Sequence, residues 1–297
     1  VRRVKITEAL AQEGGDARDF ADFPLQVTRK RLAKGVSPHL HDAFEIELLL
    51  AGNAVNVCAG SPYRVTRGNL FLGNHMESHA LRFRGEAAFL SVKFRPAVLL
   101  ADGEADLNLL DPFVMGASAF RGRVPAGTRE EKALSDLLLM IFEERRERVG
   151  EWRGVCRSLF LSFLKILHRI WSRRLSRDPN AASYRPHPLP YRLMAWIDGH
   201  FQEDLRIEGL AAQFELSPSR LGALFHGVFG QAPKAYLQAR RIAHARELLS
   251  SGGVGVTEAA LASGWSDVSV FHKAFKKATG VAPSRYGQGE LRAVSKE

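Results

Sequence analysis

Three side chains early in the chain have the types and spacing to do chemistry. Residues 40–50 alternate, with Leu40, Phe44, Ile46, Leu48 and Leu50 on one face and His39, His41, Glu45 and Glu47 on the other. Strand geometry sends every second side chain the same way, so His39, His41 and Glu45 share a face. Two imidazoles and a carboxylate so placed can ligate a transition metal. They can equally line a metal-free pocket for a polar ligand, or simply meet water, and the residue types leave all three open.

A second constellation lies in the last third, which repeats itself. Ile207 to Leu221 contains a short helical pattern, then Ser217-Pro218 and a second pattern ending at Phe225, Phe229 and Gly230. Val256 to Asp267 does the same and is followed by Phe271, Phe275 and Gly280. Each copy closes on a like phrase, Gln231-Ala-Pro-Lys-Ala-Tyr236 and Val281-Ala-Pro-Ser-Arg-Tyr286. Ser217, and Asp267 or Ser266, are N-cap residues, the glycines supply left-handed C-caps, and each proline starts the next helix. The pattern is helix-turn-helix, twice. Such a motif lays its second helix in the major groove while its first crosses the backbone. Lys234–Ser250 between the copies is expected to be one helix, a rod of roughly 25 Å at 1.5 Å per residue.

From about Leu189 to Gln288 the chain resembles the DNA-binding domain of AraC-family (AraC/XylS) transcriptional regulators. The resemblance rests on Arg241, Ala245, Leu248 and Leu249 in the rod, and on Ala259, Gly264, Trp265, Ser266 and Asp267 before the second reading helix. Phe271, Phe275, Gly280, Pro283 and Tyr286 complete it. It implies a base-reading face at Ser219, Gly222 and Ala223, with Arg220 beside them, and another at Val268, Ser269, Val270, His272 and Lys273. Gly222 and Ala223 have no side chain able to hydrogen-bond a base edge, which leaves thymine-methyl contact or DNA shape to them. Arg220, Lys273, Lys276, Lys277 and the helix N-termini are the expected phosphate anchors.

The early histidines also fit a resemblance. Gly35, His39, His41, Glu45 and Gly52 are similar to the first cupin motif, two residues short between the glycine and the first histidine. Gly68, Asn69 and His79 are similar to the second, without its usual Pro-x-Gly. In cupin enzymes the matching His, His, Glu and His hold a metal, whereas sensor domains of AraC-type regulators keep the outline without one. His39, His41, Glu45 and His79 are therefore expected to line an effector pocket, with a metal site as the lesser alternative and no cofactor. Sensors of sugars such as melibiose or rhamnose are similar.

The elements around these sites follow from punctuation and period. Ala54–Cys58, Tyr63–Thr66, Leu70–Leu72 and Phe89–Phe94 read as short strands between glycine and proline turns, suggesting a sandwich or small barrel. Thr128 and Glu131 form a capping box ahead of Leu134, Leu137, Leu138 and Ile141. A second helix carries Leu159, Phe160, Phe163, Leu164, Leu167, Ile170 and Trp171, and the pair is a hairpin that packs on the barrel or also pairs two copies. Four prolines between Ser176 and Pro190 mark a boundary.

Composition narrows the partners. The 297 residues carry a net charge of +10. Residues 1–120 balance at fourteen basic and fourteen acidic, 121–191 carry fifteen against eight, and 192–297 thirteen against ten. A polyanion should thus meet the later part. Leu159–Leu167 is interrupted by Lys165 and too short to cross a bilayer. The N-terminal residues have no apolar h-region, and Cys58 and Cys156 match no metal spacing, so a cytoplasmic, reduced setting is expected.

The expected fold is α+β with two domains: a cupin-like β-barrel with a helical hairpin over 1–175, a linker over 176–190, an all-α double helix-turn-helix over 191–288, and a tail over 289–297. The expected function is sequence-specific, effector-responsive transcription regulation, with promoter DNA, a small effector (a sugar among the candidates), RNA polymerase and a second copy as partners. It is expected not to be an enzyme or to meet a membrane. A ligand-independent activator and a metal-dependent cupin enzyme with a helical appendage are the rivals.

Overall fold

The computed structural model describes residues 23–39, 43–58, 61–74, 79–99, 107–114, 123–124, 127–177, 188–251 and 253–286. They fall into two compact units that divide between Pro188 and Leu189.

Unit one is two antiparallel sheets with helices against one of them. The strands are β1 (Leu25–Leu32), β2 (Val36–His39), β3 (Phe44–Ala51), β4 (Asn53–Cys58), β5 (Ser61–Thr66), β6 (Leu70–Gly73), β7 (His79–Arg82), β8 (Ala87–Phe94) and β9 (Arg123–Val124). Their orders are β1-β8-β3-β6-β9 and β2-β7-β4-β5. Among the described residues no ladder joins one sheet to the other.

Register decides which side chains look inward. In β3, Glu45 pairs with Lys93, Glu47 with Ser91 and Leu49 with Phe89, so these share a face. Leu49 and Phe89 belong to one core with Ala54, Val65 and Leu81 of the opposite sheet, which makes that face the interior of the sandwich. The other face carries Phe44, Ile46 and Leu48. There Phe94 meets Phe160 at 4.8 Å between ring centroids and Phe44 at 5.3 Å. β3 is thus buried on both sides, and of the alternatives open for its glutamates the water-facing one falls, since both point inward.

Phe160 belongs to α2 (Trp152–Leu175), which packs in a hairpin with α1 (Arg129–Glu147). Thr128 caps α1, its Oγ1 accepting the Glu131 N–H at 3.0 Å, while Glu131 Oε2 reaches back to the Gly127 N–H at 3.0 Å. α1 ends at Arg148 in the left-handed region (φ 50°), ahead of Gly150.

Unit two is helical: α3 (Pro188–His200), α4 (Ile207–Gln213), α5 (Pro218–Phe229), α6 (Pro233–Ser251), α7 (Val256–Ala262), α8 (Val268–Thr279) and α9 (Pro283–Tyr286). Pro188 and Pro190, expected within a non-helical linker, instead open α3, where a first-turn proline forfeits no helical hydrogen bond. The remaining prolines of that segment, Pro179 and Pro186, lie outside the described residues.

The repeat is structural. Ser217 caps α5 through the Arg220 N–H at 3.2 Å, and Gly230 ends it at φ 66°. Asp267 caps α8, and Gly280 ends it at φ 77°. The rod α6 has 19 residues, about 28 Å at 1.5 Å each, and both α5 and α8 pack on it. Ile242, Ala245 and Leu249 of the rod share a core with Ala259, Trp265, Phe271, Phe275 and Tyr286.

Candidate DNA-reading face and sensor interior

Burial splits each reading helix lengthwise. In α8, Phe271 and Phe275 are fully buried, so the helical period turns Ser269, Val270, His272, Lys273, Lys276 and Lys277 outward, and all six are exposed. Val270 is 49% exposed, an apolar side chain standing in an otherwise polar row. Val268, expected on the reading face, is instead half-buried and packed against the core of the second repeat. In α5, Leu221 and Phe225 face inward, Ser219, Arg220 and Ala223 are exposed, and Gly222 is half-buried beside open space. His226, one turn beyond Ala223, is also exposed on α5 and was not singled out by the repeat.

The N-terminus of α8 is less free for phosphate than the sequence suggested. Asp267 Oδ1 accepts the N–H groups of Ser269 at 2.7 Å and Val270 at 3.1 Å. A carboxylate already sits where an anion would bind, so cationic side chains must carry the backbone contacts there.

In unit one, two of the four expected pocket residues meet. Glu45 Oε2 lies 2.9 Å from His79 Nε2, with both side chains buried. Because Glu45 is on β3 and His79 on β7, this contact spans the two sheets. Ser91 Oγ donates to Glu45 Oε1 at 3.1 Å, and Lys93 Nζ stands 3.7 Å from the same oxygen. Lys30 Nζ is 3.8 Å from Glu47 Oε1 and donates to Ser91 Oγ at 3.3 Å. Burial, reinforced by the neighbouring Glu45 charge, pushes the Glu47 carboxyl up to about 8 against the pull of Lys30 and Lys93.

His39 is not on the strand that bears Glu45. It ends β2, in the other sheet, where its Cα partner is His79. The alternation read across 40–50 as one strand is shared between two elements, so strand period alone does not put His39 and Glu45 on one face. The side chain of His39 and the whole of His41 lie outside the described residues. Among the described residues no three His, Cys, Asp or Glu side chains gather about a common point.

The sequence reading missed Ser91, Lys93, Lys30 and Asn56. Ser91 and Lys93 are the polar members of an otherwise apolar strand, Phe89–Phe94, and that alternation was the available signal. Asn56 is buried on β4 and donates from Nδ2 to the Tyr63 hydroxyl at 2.6 Å, while its Oδ1 has no hydrogen-bond partner among the described residues. Its cross-strand partner is Leu81, an interior residue, so this acceptor sits on the inner face. The interior is therefore apolar at one end and densely polar at the other. That is the composition of a pocket for a small ligand.

Comparison with known proteins agrees with this division. A family model described as an AraC-like ligand binding domain matches residues 30–144, and a helix-turn-helix domain model matches 210–289. The HTH-type transcriptional activator RhaS of Escherichia fergusonii is 25% identical over 274 residues, covering 90% of this chain and 95% of that protein. RhaS of Escherichia coli O139:H28 is 24% identical over 254 residues, covering 84% and 87%. Among solved structures, ToxT from Vibrio cholerae O395 superposes with a TM-score of 0.54 at 13% identity, over 89% of this chain and 97% of that one. ToxT has also been solved bound to (E)-4-(8-methylnaphthalen-1-yl)but-3-enoic acid, with a TM-score of 0.54, 13% identity and coverage of 89% and 98%. No helix among the described residues is long and apolar enough to cross a membrane. With a ligand-binding sandwich ahead of a doubled helix-turn-helix, and the two matching models in that order over about two thirds of its length, the chain belongs to the AraC family of transcriptional regulators.

Proposed function

We propose that this regulator reads promoter DNA with two faces and is switched by a small effector held between the sheets of its first unit. Ser219, Arg220 and Ala223 serve one half-box, and Ser269, Val270, His272, Lys273, Lys276 and Lys277 serve the other. Residues 1–175 sense and 191–288 bind DNA. The observation that carries the reading is the row of six exposed residues on α8 set against a buried Phe271 and Phe275. It combines three lysines for phosphate with Val270 and His272 for base edges.

The effector lies against Glu45, His79, Ser91 and Lys93, with His39 and His41 as further candidates. Lys30, Lys93 and Ser91 supply donors beside the carboxylate of Glu45, Glu47 holds its own proton below about pH 8, and Asn56 Oδ1 offers an unused acceptor. Those features suit an uncharged ligand rich in hydroxyls, such as a sugar. The lysines beside an apolar cluster of Leu49, Phe71 and Phe89 favour a second occupant, an apolar carboxylic acid. The protein acts in the cytoplasm, is not an enzyme, activates transcription by contact with RNA polymerase, and pairs as a homodimer. Half-exposed Met140 on α1 and Val155 on α2 support the pairing.

The decisive experiment selects binding sites from a random duplex library with the whole chain, then repeats binding with neutral monosaccharides or medium-chain carboxylic acids added. The expected result is an enriched sequence whose occupancy changes with one ligand class. A library without enrichment would overturn the DNA reading, and enrichment indifferent to both classes would overturn the effector reading.

A further inference from the structure

A rod sets a distance, but a rod alone leaves each repeat free to roll about its own contact with it. Unit two contains a connection that removes this freedom. The segment Phe201–Glu203, between α3 and α4, leads into the first repeat. Arg241 of the rod grips it at two points: Nε donates to the Phe201 carbonyl and Nη2 to the Glu203 carbonyl, each at 2.7 Å. The same segment reaches the second repeat. Gln202 Nε2 donates to the carbonyl of Ala262, the last residue of α7, at 2.8 Å. Beside it Gly264, at φ +82°, lies so close that a Cβ there would stand 2.6 Å from the Phe201 carbonyl oxygen and 2.8 Å from Gln202 Cα.

The segment is anchored on its own side as well. The Tyr236 hydroxyl of the rod donates to Asp198 Oδ1 at 2.8 Å, with Arg240 Nε 3.7 Å from the same oxygen. The Arg240 guanidinium also stacks 4.1 Å from the centroid of the Phe201 ring. On the far side, His244 Nδ1 and Ser263 Oγ are 3.0 Å apart, tying the rod to the turn that follows α7. The lead-in to the first repeat, the rod and the second repeat thus close a ring through residues 201–203. A planar guanidinium holding two carbonyls at once has a fixed orientation, which a single contact would lack.

We propose that Gln202 and Arg241 are positioning residues that fix the angle between α5 and α8, and so determine which spacing of two half-boxes on B-DNA this regulator accepts. The proposal rests on the reading that both helices engage DNA together. Each base pair inserted between the boxes moves one by roughly 3.4 Å and turns it by about a tenth of a helical revolution. A rigid pair of readers cannot follow that change, whereas a loosened pair can.

The test uses the full chain and duplexes carrying the site it selects from a random library, with zero, one or two base pairs inserted between the half-boxes. The wild-type chain is expected to lose about tenfold or more in affinity per insertion, because simultaneous engagement is what insertion removes. Gln202→Ala and Arg241→Lys are expected to bind an isolated half-box within about twofold of wild type while the one-base-pair penalty falls to about threefold or less. Arg241→Lys keeps the positive charge, so loss of phosphate attraction cannot imitate the effect. Gln202 is exposed, so its alanine variant decides the matter if Arg241→Lys does not fold. Variants that keep the wild-type penalty overturn the proposal. A selected site with one box overturns it while leaving DNA binding intact, and a library without enrichment overturns both.

Discussion

Glu45 and His79 meet at 2.9 Å across the interior of the first unit, each contributed by a different sheet. A buried carboxylate and imidazole in contact tie the sheets together where the surrounding residues are polar and a ligand would lie. Removing one partner strands the other in a medium that solvates it poorly.

For that reason His79→Ala is expected to lower the unfolding free energy by about 1–3 kcal/mol, measured by urea denaturation of the full chain. The same substitution should abolish effector dependence of DNA occupancy, while affinity for the selected site without effector stays within about threefold. A stable, still responsive variant would remove the pair from both roles.

Glu47 gives a pH signature. Its carboxyl rises from an ordinary 4.5 to about 8 on folding, so the folded chain keeps a proton that the unfolded chain has lost between those values. Its stabilising contribution is complete below about pH 4.5 and is lost as pH climbs through 8. Glu47→Gln should flatten this decline, by up to about 1.4 kcal/mol per pH unit relative to wild type. Parallel denaturation curves for the two proteins from pH 5 to pH 8 would refute the assignment.

Lys273 is exposed on α8 in a row of cations. Lys273→Ala should reduce the slope of log affinity against log salt by roughly 0.9, with weakening that is similar across different DNA sequences. An unchanged slope from low to high salt would take Lys273 out of the interface.

Ala223 is exposed on α5, so Ala223→Asp should leave the thermal midpoint within about 2 °C and still cut affinity for the selected duplex by about tenfold or more, since an acid there faces phosphate. Equal affinity would mean that α5 does not approach DNA on this side.

Gly264→Ala should destabilise unit two by about 1–3 kcal/mol, because the residue has a positive φ and its added carbon would press on the Phe201 carbonyl. Calorimetry of the full chain should show the loss in the transition of the second unit.

The second unit was legible because its signals are local. Caps, closing glycines and the paired phenylalanines all fall within one or two turns of the residues they organise, and the sequence written twice confirms its own period. The first unit was less legible because its contacts are remote. Strand β1 escaped notice since Arg29 takes a buried position, on the sheet face that the helices cover, which alternation would assign to an apolar residue. Alternation alone left open whether the glutamates of β3 face a pocket or water, because a strand buried on both sides, with one face lined by charge, has the same pattern as a half-exposed one. Only the register with Lys93 and Ser91 separates the two cases. Similarly, His39 looked contiguous with Glu45 because nothing in the residue types marks a change of sheet.

Strand β3 is a partition one residue thick. Glu45 and Glu47 stand on its inner side, and on its outer side Phe44 meets Phe94, which bears on Phe160 of α2. An occupant that displaces the carboxylates by a few tenths of an ångström therefore needs no relay to be felt at the hairpin, since the aromatic stack leans on the back of the same peptide plane. Occupancy and the outer helices share one wall, and the shortest route for a signal out of the sensor is straight through it.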